Sequence, residues 1–198
     1  MDLYSTIISG FGLSAPAGLN AWIPLLVTSL SAKIGWIKLN APFDVLGETW
    51  VLLVLLLLVT VELFVDKIPA VDTINDIIQT LIRPTAGGIL FAAQAGMIGN
   101  LDPTVAFVLG LMSAGAVHAV KSLGRPLVTT FTGGIFNPIV SMVEDIISGI
   151  TAVLALIVPL LAAFLMLLLL GIAGWAVLHW RGRRRRRQQA KAEASNSQ

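Results

Sequence analysis

Apolar residues in this chain fall into long runs, over roughly residues 5–30, 47–65, 84–100, 103–122 and 146–180, with charged groups gathered between them. Val51–Val61 is almost wholly Val and Leu, and 146–180 has no Asp, Glu, Lys or Arg across 35 positions. A bilayer-spanning helix needs about 20 predominantly apolar residues. The pattern therefore predicts an all-α fold, a polytopic transmembrane helical bundle. Trp50, Trp175 and Trp180 stand near run ends, where amphipathic rings favour the membrane interface.

Two of the runs carry more than length. The first holds Gly10, Gly12, Pro16, Gly18 and Pro24, with Asn20 among them, so its helix is expected to be kinked or partly unwound. The last is too long for one crossing. As a single helix it would extend about 50 Å, against a core about 30 Å thick. A turn near Pro159 splits it into crossings from about 139 to 157 and 160 to 180, which makes about six spans with both termini cytoplasmic. Lys67, Arg83, Lys121 and Arg125 then share one side with the C-terminal tail, leaving Lys33 and Lys38 outside. The alternative of five spans with an external N-terminus puts those four cations outside. The positive-inside bias favours six.

A polar phrase occurs twice. Pro69-Ala-Val-Asp72-Thr-Ile-Asn75-Asp76-Ile77-Ile78 returns as Pro138-Ile-Val-Ser141-Met-Val-Glu144-Asp145-Ile146-Ile147. In the six-span arrangement each copy begins after a return to the cytoplasmic side. Spans two and three, and four and five, then form a repeat of two helical hairpins, with a shared site expected where the first copy meets the second.

Charge changes the picture only at the C-terminus. The chain is 56% hydrophobic and 12% charged, with a mean hydropathy of +0.87 and a pI near 9.3. Its formal net charge is +2, yet residues 181–198 alone carry six Arg and Lys191 against Glu193. That +6 leaves the residues before it at −4. The division is a single transmembrane domain over 1–180 and a basic, disordered cytoplasmic tail over 181–198. The 181–187 Arg run reads as a topological anchor on anionic lipid head groups rather than a nucleic-acid arm. No basic n-region precedes the first apolar run, so no cleavable signal is expected. With no Cys in the chain, disulfides, thiolate metal sites and Cys nucleophiles are excluded.

The candidate site residues are Asn20, Glu62, Asp66, Lys67, Asp72, Asn75, Asp76, Arg83, His118, Lys121, Arg125, Asn137, Ser141, Glu144 and Asp145. Glu62 and Asp66 are spaced i, i+4, and Asp72, Asn75 and Asp76 share a face if helical. His118, Lys121 and Arg125 line another face, and Ser141, Glu144 and Asp145 repeat the i, i+3, i+4 pattern. Ionisable groups at membrane depth are expensive and mark functional sites. Plainer readings compete. Asn137-Pro138 resembles an N-cap with Pro at the first helical position, and Ser141-x-x-Glu144 resembles a capping box. Acidic groups at a helix start also suit its dipole. Lys67, Lys121 and Arg125 read as anchors or snorkelling side chains, and His118 as a buried hydrogen-bonded residue. Asn20 either caps backbone freed by the broken helix or lines a pathway. Glu62 ends an apolar run and is expected to face the interior beside a base such as Lys121 or Arg125.

No catalytic motif is present: there is no HExxH, no Gly-x-Ser-x-Gly, no P-loop and no dinucleotide fingerprint. Two histidines, His118 and His179, do not make a His-rich metal site, and no EF-hand loop occurs. The chain therefore reads as a non-enzyme without a cofactor.

Gly18-Leu19-Asn20-Ala21, the string from Val61 to Asp72 containing Asp66-Lys67-Ile68-Pro69-Ala70-Val71-Asp72, and Ile82-Arg83-Pro84 followed by Gly87-Gly88 resemble a bacterial integral membrane family. His118-Ala119-Val120-Lys121, Arg125, Asn137, Ser141 and Glu144-Asp145 continue the resemblance, which covers roughly residues 5–180. The family is known as domain of unknown function 4126. The resemblance implies a bacterial inner-membrane protein whose signature is the polar string, and it brings no reaction with it.

These observations favour a small transporter or channel subunit with a charged cytoplasmic-side site, working as a homo-oligomer with the lipid bilayer as its first partner. The alternative is a non-transport scaffold or lipid-interacting protein. A lipid-head-group enzyme using carboxylate bases with a divalent metal ranks third.

Overall fold

The computed structural model describes residues 3–65, 69–98 and 101–196, with the backbone alone at Leu3, Ser5, Thr6, 69–74, Asp76, 96–98, Leu127, Ala173, Val177, Trp180, Arg181 and 183–196. Among the described residues there are seven α-helices and no strand. They are α1 (Leu3–Ser14), α2 (Trp22–Lys33), α3 (Thr49–Val65), α4 (Pro69–Ile98), α5 (Pro103–Thr132), α6 (Asn137–Ile157) and α7 (Pro159–Asn196). Turns of 3₁₀ helix occupy Ala15–Gly18 and Phe43–Gly47. Among the described residues, three helices are long and apolar enough to cross a membrane by length and composition: α5, α6 and, over Pro159–Ala176, α7. Ile7–Gly18 and Thr49–Val65 are shorter apolar segments.

The polarity of these helices is inverted relative to a water-soluble bundle. On α6, Ser141, Asp145, Ser148, Ala152 and Ala155 recur at four- and three-residue steps and are all buried. Ile139, Met142, Val143, Ile146, Ile150 and Ile157 face outward. On α3, Leu55, Val59 and Glu62 form the buried stripe. Leu53, Leu56, Leu57 and Phe64 are exposed. Apolar outside and polar inside is the arrangement a lipid solvent selects, because polar groups there find partners only within the protein.

Successive contacts fix the direction of each helix. On α4 and α5, Gly88 lies against Phe107, Gly87 against Ala114, and Arg83 beside His118, so the two helices are antiparallel. They approach closely because their crossing is built from glycine and alanine: a Cβ on Gly87 would sit within 2.8 Å of the Gly110 carbonyl. On α6 and α7, Ile147 and Leu169, each eleven residues from Val158, line one cavity. The chain therefore folds back at Val158, as the length of its last apolar run requires.

The N-terminal segment departs from expectation. Its contacts run down α6, with Gly12 against Ala155, Pro16 against Ser148 and Asn20 against Asp145. They then return upward, with Ile23 against Gly149. The far end of α2 carries on in that direction: Lys33 bonds Thr49 at the start of α3, while Glu62 near the end of α3 meets Arg83. Residues 5–30 thus form two short helices joined at a tip; the helix is partly unwound, as its breakers suggested, but the chain turns back where a single crossing was expected. Hydropathy does not separate the two, since a run of this length fits either.

Two further expectations change in length. α4 starts at Pro69 and passes through Pro84, and α5 passes through Pro126 to Thr132, ending at Gly133 with φ of 62°. Both copies of the repeated phrase consequently open a helix, since Pro138 stands in the first turn of α6.

Candidate functional site

The tip of the N-terminal hairpin is where backbone groups lose their helical partners. Leu19 and Asn20 both donate their N–H to the Pro16 carbonyl, closing the 3₁₀ turn. The next helix, α2, then begins without an intrahelical acceptor for its first N–H groups. Asn20 supplies one: its Oδ1 accepts from Trp22 N at 2.9 Å and Ile23 N at 3.1 Å. The Asn20 side chain is 1% exposed, and its Nδ2 donates to Asp145 Oδ1 of α6 at 2.8 Å. Asn20 therefore caps α2 and anchors the tip to α6 with the two halves of one amide.

Carbonyls at the tip are met from the other helices. Lys121 Nζ of α5 donates to the Leu19 carbonyl at 2.8 Å, and Ser148 Oγ of α6 donates to the Pro16 carbonyl at 3.0 Å. The two ends have opposite polarity, and so do their partners. Cationic Lys121 sits at the carbonyl end of the descending arm, while Asp145 backs the amide at the N–H end of the ascending arm. Gly18 makes the approach possible, because a Cβ there would sit 2.5 Å from Val117 Cβ and against the Ala114 carbonyl.

Lys121 also pairs with Glu144, its Nζ 2.8 Å from Oε2, and Arg125 Nη2 stands 3.9 Å from the same oxygen. Arg125 further donates to Ser141 Oγ at 3.5 Å. The Lys121 side chain is only 2% exposed.

A second cluster lies across α3, α4 and α5. Arg83 Nη2 donates to Glu62 Oε1 at 3.4 Å, with both side chains buried. Arg83 Nη1 is 3.1 Å from His118 Nδ1, and Thr80 Oγ1 and Ser122 Oγ are 3.2 and 3.3 Å from Nε2. Arginine has no acceptor, so Nδ1 must accept. A neutral His118 then carries its proton on Nε2 and directs it toward Thr80 and Ser122.

Several expectations are corrected by this geometry. Asn137 is not an N-cap; it is the first residue of α6, and its side chain bonds Thr129 across the turn. Ser141 and Glu144 form no capping box, because they lie past the first turn and face α5. Lys121 is an interior cation rather than a surface anchor. Glu62 faces the interior as expected, but with Arg83 as its basic partner. His118 is the buried, hydrogen-bonded residue that its isolation suggested. Asn75 lies half-buried on α4. Asp66 and Lys67 lie outside the described residues, as do the side chains of Asp72 and Asp76. The second polar copy meets the tip and α5, and the acidic side chains of the first copy, on which a meeting of the two copies depends, lie outside the described residues.

Sequence reasoning missed Ser148, Thr80, Ser122 and the tip carbonyls. Ser148 was legible, three positions after Asp145 on the stripe that buries Ser141. The carbonyls were not, since any residue carries one.

An all-helical bundle with apolar faces outward and paired charges within defines an integral-membrane type of protein with a buried polar site. The chain belongs to the family described as domain of unknown function (DUF4126), which matches residues 7–179. No curated protein and no solved structure matches it.

Proposed function

We propose that this protein is a small transport protein of the bacterial inner membrane, a carrier or channel subunit whose site is the tip of the N-terminal hairpin. The observation that carries this reading is the Leu19–Asn20 reversal, held by Lys121, Asp145 and Ser148 in the bundle interior. Broken helices that bring backbone carbonyls and helix N-termini to mid-depth are how transporters build ion and substrate sites. Non-helical backbone is tolerated there only where protein or a cavity surrounds it. Asp145 and Glu144 offer carboxylates to a cation or a proton, and Lys121 and Arg125 balance them.

The reversal also revises the topology. In this reading α3 to α7 cross the bilayer and the N-terminal hairpin dips in and returns. The Arg run of 181–187 and the α3–α4 connection with Lys67 then share the cytoplasmic side, while Lys33 and Lys38 lie outside with the N-terminus. This keeps the positive-inside bias that had favoured six spans.

In proteoliposomes carrying a lumenal dye for protons or sodium, a potassium diffusion potential should drive ion flux above that of empty vesicles. Asp145→Asn should abolish it. Wild-type vesicles indistinguishable from empty ones for both ions would sink the reading. A structural reading is favoured by one observation: Arg83 and Lys121 each face a carboxylate, as a helix lock requires. It expects these substitutions to lower thermal stability with no flux in any variant.

A further inference from the structure

Beside the tip lies a cavity of about 170 Å³ between α5, α6 and α7. Its walls are apolar, formed by Leu19, Val117, Ile147, Met166 and Leu169 among others, and its polar lining is confined to Lys121 and Glu144. We propose that this cavity binds a small single-headed amphiphile, with its apolar body between α5, α6 and α7 and a hydrogen-bond-accepting head at Lys121. This goes beyond the ion-transport reading by placing a ligand beside the same tip, and it rests on that reading only for the step of movement, not for binding.

Three observations support it. An ammonium has three N–H donors. The Leu19 carbonyl takes one and Glu144 faces another, so among the described residues the third has no protein acceptor. This side chain is buried and borders the cavity, so a ligand acceptor is the partner it lacks. The volume is the second: an apolar cavity of about 150 Å³ is enough to hold benzene. A six-carbon chain with one polar head has comparable bulk. The third is the wall chemistry. A polar solute such as a sugar or an amino acid would lose its water without replacement along these walls. An amphiphile loses water only from its apolar part, which is favourable.

Met166 and Leu169 lie near the middle of the apolar Pro159–Ala176 stretch, so the cavity is at mid-span. A ligand dissolved in either leaflet reaches this depth with its apolar end leading.

The test is fluorine NMR on the full chain in nanodiscs, using terminally fluorinated hexanoate and hexanol as probes. Both partition into lipid, so the signal that counts is the saturable part removed by filling the cavity. Wild type should show such a part, and Val120→Trp, which projects into the cavity, should lose it by tenfold or more. Met166→Phe fills less and covers the case in which the tryptophan variant does not fold. Lys121→Met should weaken the probes severalfold while leaving the body pocket intact. Preference for hexanoate over hexanol would assign an anionic head, and the reverse a neutral one. Equal signals from wild type and both filled variants overturn the proposal. So does a phospholipid retained by wild type, lost from the filled variants and not displaced by either probe. Saturable binding without flux would uphold this inference while the transport reading fails. Flux without saturable binding would do the opposite.

Discussion

Removing Glu144 should destabilise the protein more than removing Lys121, although the two form one ion pair. Glu144 Oε2 lies 2.8 Å from Lys121 and 3.9 Å from Arg125. At an effective dielectric of about 20, Coulomb's law gives gross attractions of about 6 and about 4 kcal/mol at these distances. Desolvation cancels much of each, so the useful quantity is what remains unpaired. Glu144→Leu leaves two neighbouring cations, one with its side chain 2% exposed, facing an apolar residue. Loss of one member of a buried pair costs about 3–5 kcal/mol. Lys121→Met leaves Glu144 still facing Arg125 and frees only the Leu19 carbonyl, for about 1–3 kcal/mol. The double variant should cost less than the sum of the two, by at least about 1 kcal/mol of coupling. Reversible unfolding in mixed micelles with increasing SDS measures all three. Two single variants within about 0.5 kcal/mol of wild type, the spread of ordinary surface substitutions, would refute a buried pair. A reversed order would refute the backing role of Arg125.

Other expectations follow from the same geometry. Asn20→Ala removes the cap of α2 and the amide donor of Asp145, and should cost about 2–4 kcal/mol in the same assay. Gly18→Val would drive a side chain into the Ala114 carbonyl and Val117, costing about 1–3 kcal/mol or more. Gly124→Ala, with nothing within 4 Å, should be neutral or stabilising. Asp102 caps α5 by accepting from Val105 and Thr104, and these bonds hold its carboxyl below the usual range. The ionised cap therefore contributes stability above the ordinary carboxylate range near pH 4, and that contribution fades as pH falls through the lowered value. Thermal midpoints of wild type and Asp102→Ala should accordingly differ at neutral pH and converge on acidification.

Much of the site was legible because membrane helices hide polar residues at regular spacing. Glu62 completes the stripe of Leu55 and Val59, and Asp145 completes that of Ser141 and Ser148, so burial followed from period alone. Partners did not. Asn20 meets Asp145 across 125 residues, and nothing local distinguishes that pairing from Glu62 with Lys121. The apolar runs 84–100 and 103–122 are shorter than α4 and α5, because both helices continue through Pro84 and Pro126 into more polar sequence, and proline is tolerated within packed membrane helices. The reversal at Leu19–Asn20 was hidden for a different reason. The breakers between Gly10 and Pro24 showed that the helix fails there, but the direction after the break is set by Lys121, Asp145 and Ser148, which lie on other helices.

Accessibility of the tip tests the central claim most directly. The native chain has no Cys, so Leu19→Cys introduces a single thiol beside Lys121. Vesicles of both orientations are treated with a charged, membrane-impermeant methanethiosulfonate reagent, with Ala162→Cys, at a fully buried position of α7, as a packed control. A transport site predicts modification of Leu19→Cys from both faces and none of Ala162→Cys. A folded Leu19→Cys protein that reacts from neither face would contradict the account.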